Sequence, residues 1–393
     1  MNVSVYRKLR LLLLSPGVCA GIGSLRAQQE YTGDGVPTAA EEEVRWLTNR
    51  GRFDRNNENA TQGTNYQDAD IPVSSGPLAP SNSLTLAARH HTEDMAVKNQ
   101  FQHATVPGSA YYNANTQPEP WQRFLAEGYM NLVPQDGWAE NLSAAVQTAS
   151  DTHKAWWNST EHRKNMSRGY FLEIGAGYYF WAPSTYDHYW TMTLAAGQPS
   201  FFTDTMFRDT NADSKYTQGE GVSGVKVTLK VNGADHTTFD VSAAPGSFAV
   251  PLSGIAVEPT AEVWLTNQSG TAIILSIPRD YRTLESVTLA SAQSFFAGTF
   301  SRGIFGKNFG FRNLTRGTAP VTAPLVTLTK NGAAVTVSWP SQTDLQYLVQ
   351  SSTTLGGWTD FPLGYQNGTG GVMTVTDTST VPKKYYRVSV KRP

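Results

Sequence analysis

The apolar residues of this chain change period once, and that change restricts it to a fold with helices first and strands afterwards. Leu84, Ala87, Ala88, His91 and Met95 recur at three- and four-residue steps, giving one buried stripe on a helix that begins near Ser83. An earlier helix starts at Ala39, with Glu41, Glu42 and Glu43 in its first turn, where the helix dipole favours acids. Shorter helices are expected over Trp121 to Glu127, over Ser150 to Ser159 and after His162, and residues 63–82 are loop-like. Beyond Gly169 the pattern is that of strands. Phe171 to Trp181 and His188 to Ala195 form a pair, and no helical period survives after Pro199.

At 393 residues the chain exceeds one ordinary core. Charged residues are 16%, against a usual share of roughly 25%, a composition that suits β-rich extracellular proteins. The net charge of −1 offers no global field for nucleic acid or an anionic membrane. Arg7, Lys8 and Arg10 precede a short apolar stretch opening at Leu11 to Leu14, and Ala27 supplies a small residue before a cut. Residues 1–27 therefore read as a secretory signal, too short to span a membrane and interrupted by Pro16 and Gly17. The sole cysteine, Cys19, lies inside it, so the mature chain must be stable without disulfides. The expected location is secreted, periplasmic or at the cell surface, with no membrane span after signal removal and no nucleic-acid partner.

Four pieces occur in order along the first half: Phe101-Gln102-His103 at the end of a helix, Gly137-Trp138-Ala139-Glu140-Asn141-Leu142, Trp156 through Met166 with Ser159, His162, Arg163 and Asn165, and Ile174-Gly175-Ala176-Gly177-Tyr178. Together they resemble the bacterial form of the CAP superfamily (cysteine-rich secretory, antigen 5 and pathogenesis-related proteins). The resemblance implies an α-β-α sandwich over 39–197, after a flexible lead-in at 28–38. It also implies a cleft where two histidines and two glutamates can hold a divalent metal. His103, Glu140 and His162 match that set, while Ser159 stands where the second glutamate would be; Asn141 is a cleft neighbour. Two imidazoles and one carboxylate could bind Zn²⁺ and activate a water, but no further acid or nucleophile is assignable. A structural polar cluster ranks ahead of metal binding, and metal binding ahead of catalysis. Tyr178, Tyr179, Trp181 and Tyr189 are candidates for an aromatic rim.

Asp209, Asn211 and Asp213 fall at positions 1, 3 and 5 of a twelve-residue loop, with Lys215 at 7 and Glu220 at 12. That is the spacing of a calcium loop, with Ser214 in place of the usual sixth-position glycine. The alternative is an Asx-rich turn with no ion. The surrounding segment, 198–313, resembles calcium-stabilised B-type repeats of bacterial adhesins. A linker is expected over 314–324. Residues 325–393 resemble a fibronectin type III-like sandwich, with Trp339, Tyr347, Trp358 and Tyr386 in its core. The overall expectation is an α+β chain: a CAP head followed by two immunoglobulin-like sandwiches. Its function would be to bind an extracellular ligand (an apolar small molecule, a peptide or a cell-surface glycan), with a structural Ca²⁺ in the second module. The rival is a metal-assisted extracellular hydrolase using His103, Glu140 and His162.

Overall fold

The computed structural model describes residues 33–391, except 70, 131–136, 198, 232–233, 254–259, 281–282, 302–306, 318–320, 322–323, 344 and 382. The signal segment 1–27 with Cys19, and residues 28–32 of the lead-in, lie outside the described residues. Among the described residues no helix is long and apolar enough to cross a membrane.

The leading domain runs α1 (Ala39–Phe53), α2 (Arg55–Gln62), β1 (Ala79–Pro80), α3 (Asn82–Val97), α4 (Pro120–Ala126), β2 (Trp138–Ala144), α5 (Ala149–Asn158), α6 (Thr160–Ser167), β3 (Glu173–Phe180) and β4 (His188–Ala195). α1 opens with a capping box between Thr38 and Glu41, and carries Arg50 and Arg52 in its last turn, so both ends of its dipole are complemented. Asp54 then ends α1 and caps α2 by accepting from Asn57 N at 3.0 Å. α2 is polar almost throughout, so periodicity gives no sign of it; Arg55, Glu58 and Asn59 are nevertheless its buried residues.

The sheet has strand order β1-β3-β4-β2, with β1 parallel to β3 and the other pairs antiparallel. Val44 of α1, with Trp156 and Trp157 of α5, packs on one face, against Ile174, Ala176, Trp190 and Met192. α3 lies on the other. A Cβ at Gly175 or Gly177 would fall 2.1 Å from the Leu84 carbonyl carbon or 2.5 Å from that of Ala88, so the helix backbone rests directly on these glycines. The result is three layers, helix, sheet and helix, with β2 at the sheet edge.

The second module contains β5 (Phe201–Thr205), β6 (Val225–Val231), β7 (Ala234–Val241), β8 (Ser247–Pro251), β9 (Thr260–Asn267), β10 (Ile273–Pro278), β11 (Leu284–Leu289) and β12 (Ser294–Ser301). They form sheets β5-β8, β12-β9-β6-β7 and β10-β11 around one core that includes Phe202, Phe248, Val263, Leu275 and Phe300. Leu314 is buried in this core, and Thr315 exchanges backbone hydrogen bonds with Thr299 at 2.8 and 3.0 Å. The chain therefore leaves the module after those residues, not at 314; residues 318–320 and 322–323 of the expected linker lie outside the described ones.

A buried seam joins this module to the leading domain. Arg45 pairs with Glu42 at 2.5 Å and donates to Asp204 O and to Thr205 Oγ1 at 2.9 and 3.0 Å. Asn308 donates to Pro77 O and Leu172 O at 2.8 and 2.6 Å. Trp46 and Leu47 of α1 share an apolar cluster with Phe207 and Tyr216.

The third module contains β13 (Thr327–Asn331), β14 (Ala334–Pro340), β15 (Gln346–Ser352), β16 (Thr359–Asp360), β17 (Gln366–Asn367), β18 (Val372–Asp377) and β19 (Tyr385–Lys391). One sheet is β13-β14-β18; the other has β15 between β19 and the short β16 and β17. Val337, Trp339, Tyr347, Val349 and Val388 fill the space between them, with Tyr386 against that core. Trp358 does not join it: its ring lies under the Arg387 guanidinium, 4.4 Å away.

Candidate functional site

Glu140 lies on edge strand β2, 5% exposed, and each of its oxygens already has a partner. His103 Nδ1 meets Oε1 at 3.0 Å, and Arg123 Nη2 donates to Oε2 at 2.7 Å. Arg123 comes from α4 and is fully buried; its Nη1 also donates to Thr105 Oγ1 at 3.1 Å. The sequence pattern puts His103 at a helix end. α3 stops at Val97, and His103 lies past it in an irregular segment, with 57% of its side chain exposed. The carboxylate is thus sealed inside while one of its two partners faces solvent.

Burial alone would raise the Glu140 pKa, but Arg123, His91 and His103 outweigh it and bring it down to about 2. His91, on the buried stripe of α3, meets Gln102 O at 2.9 Å through Nε2, while its Nδ1 has no partner. Burial pushes its pKa down to about 4, with Arg123 and His103 acting the same way and Glu140 opposing. His91 is therefore a core imidazole whose burial favours the neutral form.

His162, on α6, is half-buried. Its pKa is lowered, first by burial and then by the charge of His103. Asn141 is fully buried; it donates to His162 O at 3.1 Å and accepts from Asn165 Nδ2 at 2.9 Å, which fixes α6 against β2. Ser159 is the N-terminal cap residue of α6, without a side-chain capping bond. His103 and Glu140 are thus in contact, while His162 is tied to β2 through its backbone carbonyl and Asn141. Arg123 is the residue that sequence reasoning missed. Its only signal was an arginine inside a short apolar helix, Trp121-Gln122-Arg123-Phe124-Leu125.

Arg123 changes what Glu140 can hold. A divalent ion on Glu140 would have to displace His103 or Arg123, and would then sit beside a fixed guanidinium charge. The donor set therefore fits Zn²⁺ poorly. Among the described residues no three His, Asp or Glu side chains form a metal-ligand group. The rim candidates also separate. Tyr189 is fully buried and clusters with Met95 and Leu142, with Tyr179 and Trp181 packed against them, whereas Tyr178 packs against the core on the opposite sheet face.

In the second module, Asp209 accepts from Asp213 N and Ser214 N, both at 3.1 Å, and Asn211 Oδ1 also accepts from Asp213 N at 3.1 Å. Asp213 accepts from Lys215 N at 2.8 Å. Glu220 turns inward, taking Thr210 N at 2.7 Å and Thr217 N at 2.9 Å. Ala212 and Ser214 occupy left-handed backbone, at φ 57° and 62°. The carboxylates thus wrap a tight loop whose buried Tyr216 plugs into the seam beside Trp46.

Residues 73–194 match the model of the cysteine-rich secretory protein family, CAP. A curated relative, uncharacterized protein YkwD of Bacillus subtilis strain 168, is 30% identical over 102 residues, covering 26% of this chain and 35% of YkwD. The match therefore spans about a third of that relative's length. Among solved structures, an extracellular protein containing a SCP domain from Bacillus anthracis str. Ames aligns at 21% identity over 40% of each chain, with a TM-score of 0.27. An outer surface protein from Borrelia burgdorferi aligns at 13% identity over 31% of this chain and 78% of its own, with a TM-score of 0.25.

Proposed function

The chain carries a domain of the cysteine-rich secretory protein family over residues 73–194, and from that premise we propose that it is an exported ligand-binding protein whose cleft works without catalysis. The single observation behind this reading is that Glu140 already has a cation, Arg123, at 2.7 Å. A base held that far down the pH scale is a weak proton acceptor, and His103 is its exposed extension. His103 and His162 then supply hydrogen-bonding imidazoles at a solvent-facing mouth. Phe101, two residues before His103, is 45% exposed and packs edge-on against Tyr186 at 6.0 Å. Polar imidazoles near an exposed aromatic pair suit a peptide ligand, with a backbone to hydrogen-bond and side chains to bury. Export is supported by the pattern of residues 1–27.

The test is capture of peptides from a proteolytic digest on the immobilised mature protein, read by mass spectrometry. His103→Ala and His162→Ala should each lose the enriched set while the melting temperature falls by no more than about 4 °C. Equal capture by both variants would remove the cleft from the function. Turnover of the digest that needs added zinc and disappears with His103→Ala would replace this reading by the metal-assisted hydrolase.

A second proposal concerns the loop at 209–220. Ser214, in the sixth position, adopts the left-handed backbone that a calcium loop requires there, and its N–H returns to Asp209 as that turn demands. We infer a structural Ca²⁺ that offsets the lack of disulfides. Millimolar Ca²⁺ should raise the melting temperature while equal Mg²⁺ does not, and Asp209→Ala should abolish the rise; no rise in the wild type sinks the proposal.

A further inference from the structure

The third module carries charge that the whole-chain balance conceals. Residues 325–393 hold six lysines and arginines against three aspartates, in a chain whose net charge is −1. Part of that excess sits on one surface, the outer face of the sheet containing β15 and β19. Tyr347, Val349, Tyr386, Val388 and Val390 point to the core, so by strand alternation Gln346, Leu348, Gln350, Arg387, Ser389 and Lys391 face outward.

This face is ordered. Arg387 Nε and Ser389 Oγ both donate to Gln350 Oε1, at 2.7 and 3.0 Å, and Gln350 donates to Asp360 at 2.6 Å. Arg387 lies over Trp358 at 4.4 Å, and Lys391 over Tyr365 at 4.1 Å. Leu348, on the same face, is only 5% exposed. Arg387 and Lys391 are exposed and have no acidic partner among the described residues, whereas Lys384 is paired with Asp377 at 2.7 Å.

We infer that this outer face binds an acidic polysaccharide, with Arg387 and Lys391 on two of its carboxylates and the amides and hydroxyl between them on its sugar hydroxyls. The two cations stand four residues apart on one strand face, about 13 Å along it. Duplex nucleic acid presents a charge about every 1.7 Å and calls for denser basic groups than this. Asp360, on the edge strand β16, can accept from a sugar hydroxyl beside Gln350. The aromatic rings hold the cations in position.

The experiment measures retention of the full mature chain by polygalacturonate in affinity electrophoresis, beside neutral dextran and a single-stranded oligonucleotide. Retention by polygalacturonate alone, weakened about tenfold in the double variant Arg387→Gln/Lys391→Gln, supports the assignment. Both residues are exposed, so the melting temperature should not move; a single Lys391→Gln variant gives the same reading if the double variant is destabilised. Equal retention on dextran, tighter retention on the oligonucleotide, or a double variant that still binds polygalacturonate as the wild type does would each overturn it.

Discussion

Two buried carboxylates of the leading domain each hold an arginine and a histidine, and they differ most in how far the histidine is enclosed. Glu58 of α2 takes Arg50 at 2.6 Å and His153 at 3.0 Å, and both Glu58 and His153 are fully enclosed. Glu140 of β2 takes Arg123 at 2.7 Å and His103 at 3.0 Å, but the His103 side chain is 57% exposed. Burial pushes the Glu58 pKa up, yet His153 and Arg50 together hold it well below the ordinary carboxylate range, as Arg123 and the imidazoles do for Glu140. The same arginine–carboxylate–histidine chemistry therefore serves as a bolt between α1, α2 and α5 in one place and ends in a solvent-facing imidazole in the other. What separates them is solvent access to a single imidazole, not the choice of residues.

The largest expected effect lies at the enclosed site. Glu58→Ala should cost about 3–5 kcal/mol in denaturant unfolding, because it strands Arg50 and His153 without a counter-charge. Next comes pH. The folded chain resists protonating His91 until about pH 4, whereas the unfolded chain takes up that proton near 6.5. Stability should therefore fall as pH drops from 6.5 to 4, by about 3 kcal/mol in all. The depressed His162 pKa adds loss in the same direction as pH falls below 6.5. Glu140 extends the fall from its ordinary 4.5 towards about 2. Unfolding curves across this range should show the slope, and His91→Gln should flatten its upper part. A smaller effect is expected in the second module, where Ser214→Gly should stabilise by about 1 kcal/mol by relieving left-handed backbone. The smallest is His103→Ala, which should cost at most about 1 kcal/mol. His153→Ala should cost at least twice as much as His103→Ala, and equal costs would end the distinction between the two sites.

Periodicity was enough to locate α1, α3, α5 and the β3–β4 pair, because each buries one stripe or face against the sheet. It could not find α2, whose buried Glu58 and Asn59 are held by hydrogen bonds and not by apolar contact. The site was legible as far as the pairing of His103 with Glu140, since both sit in recognisable local patterns. Arg123 was not, because nothing local distinguishes an arginine that turns inward to a distant carboxylate from one that points to water. Trp358 misled for a related reason: alternation says which residues share a face, but a tryptophan in a turn can lie flat under an arginine outside the core. The basic outer face of the third module was hidden by whole-chain net charge, which averages over modules of opposite sign.

The contacts of Arg45 and Asn308 across the seam carry a consequence for how the protein can be divided. A head severed near residue 197 would lose the oxygens of Asp204 and Thr205 that Arg45 meets. It would also leave Trp46 and Leu47 without Phe207 and Tyr216. The first two modules are therefore inseparable as a working unit. Limited proteolysis should release the C-terminal piece long before it nicks this junction, and recombination that shuffled the head alone into another protein would deliver a domain with an open wound.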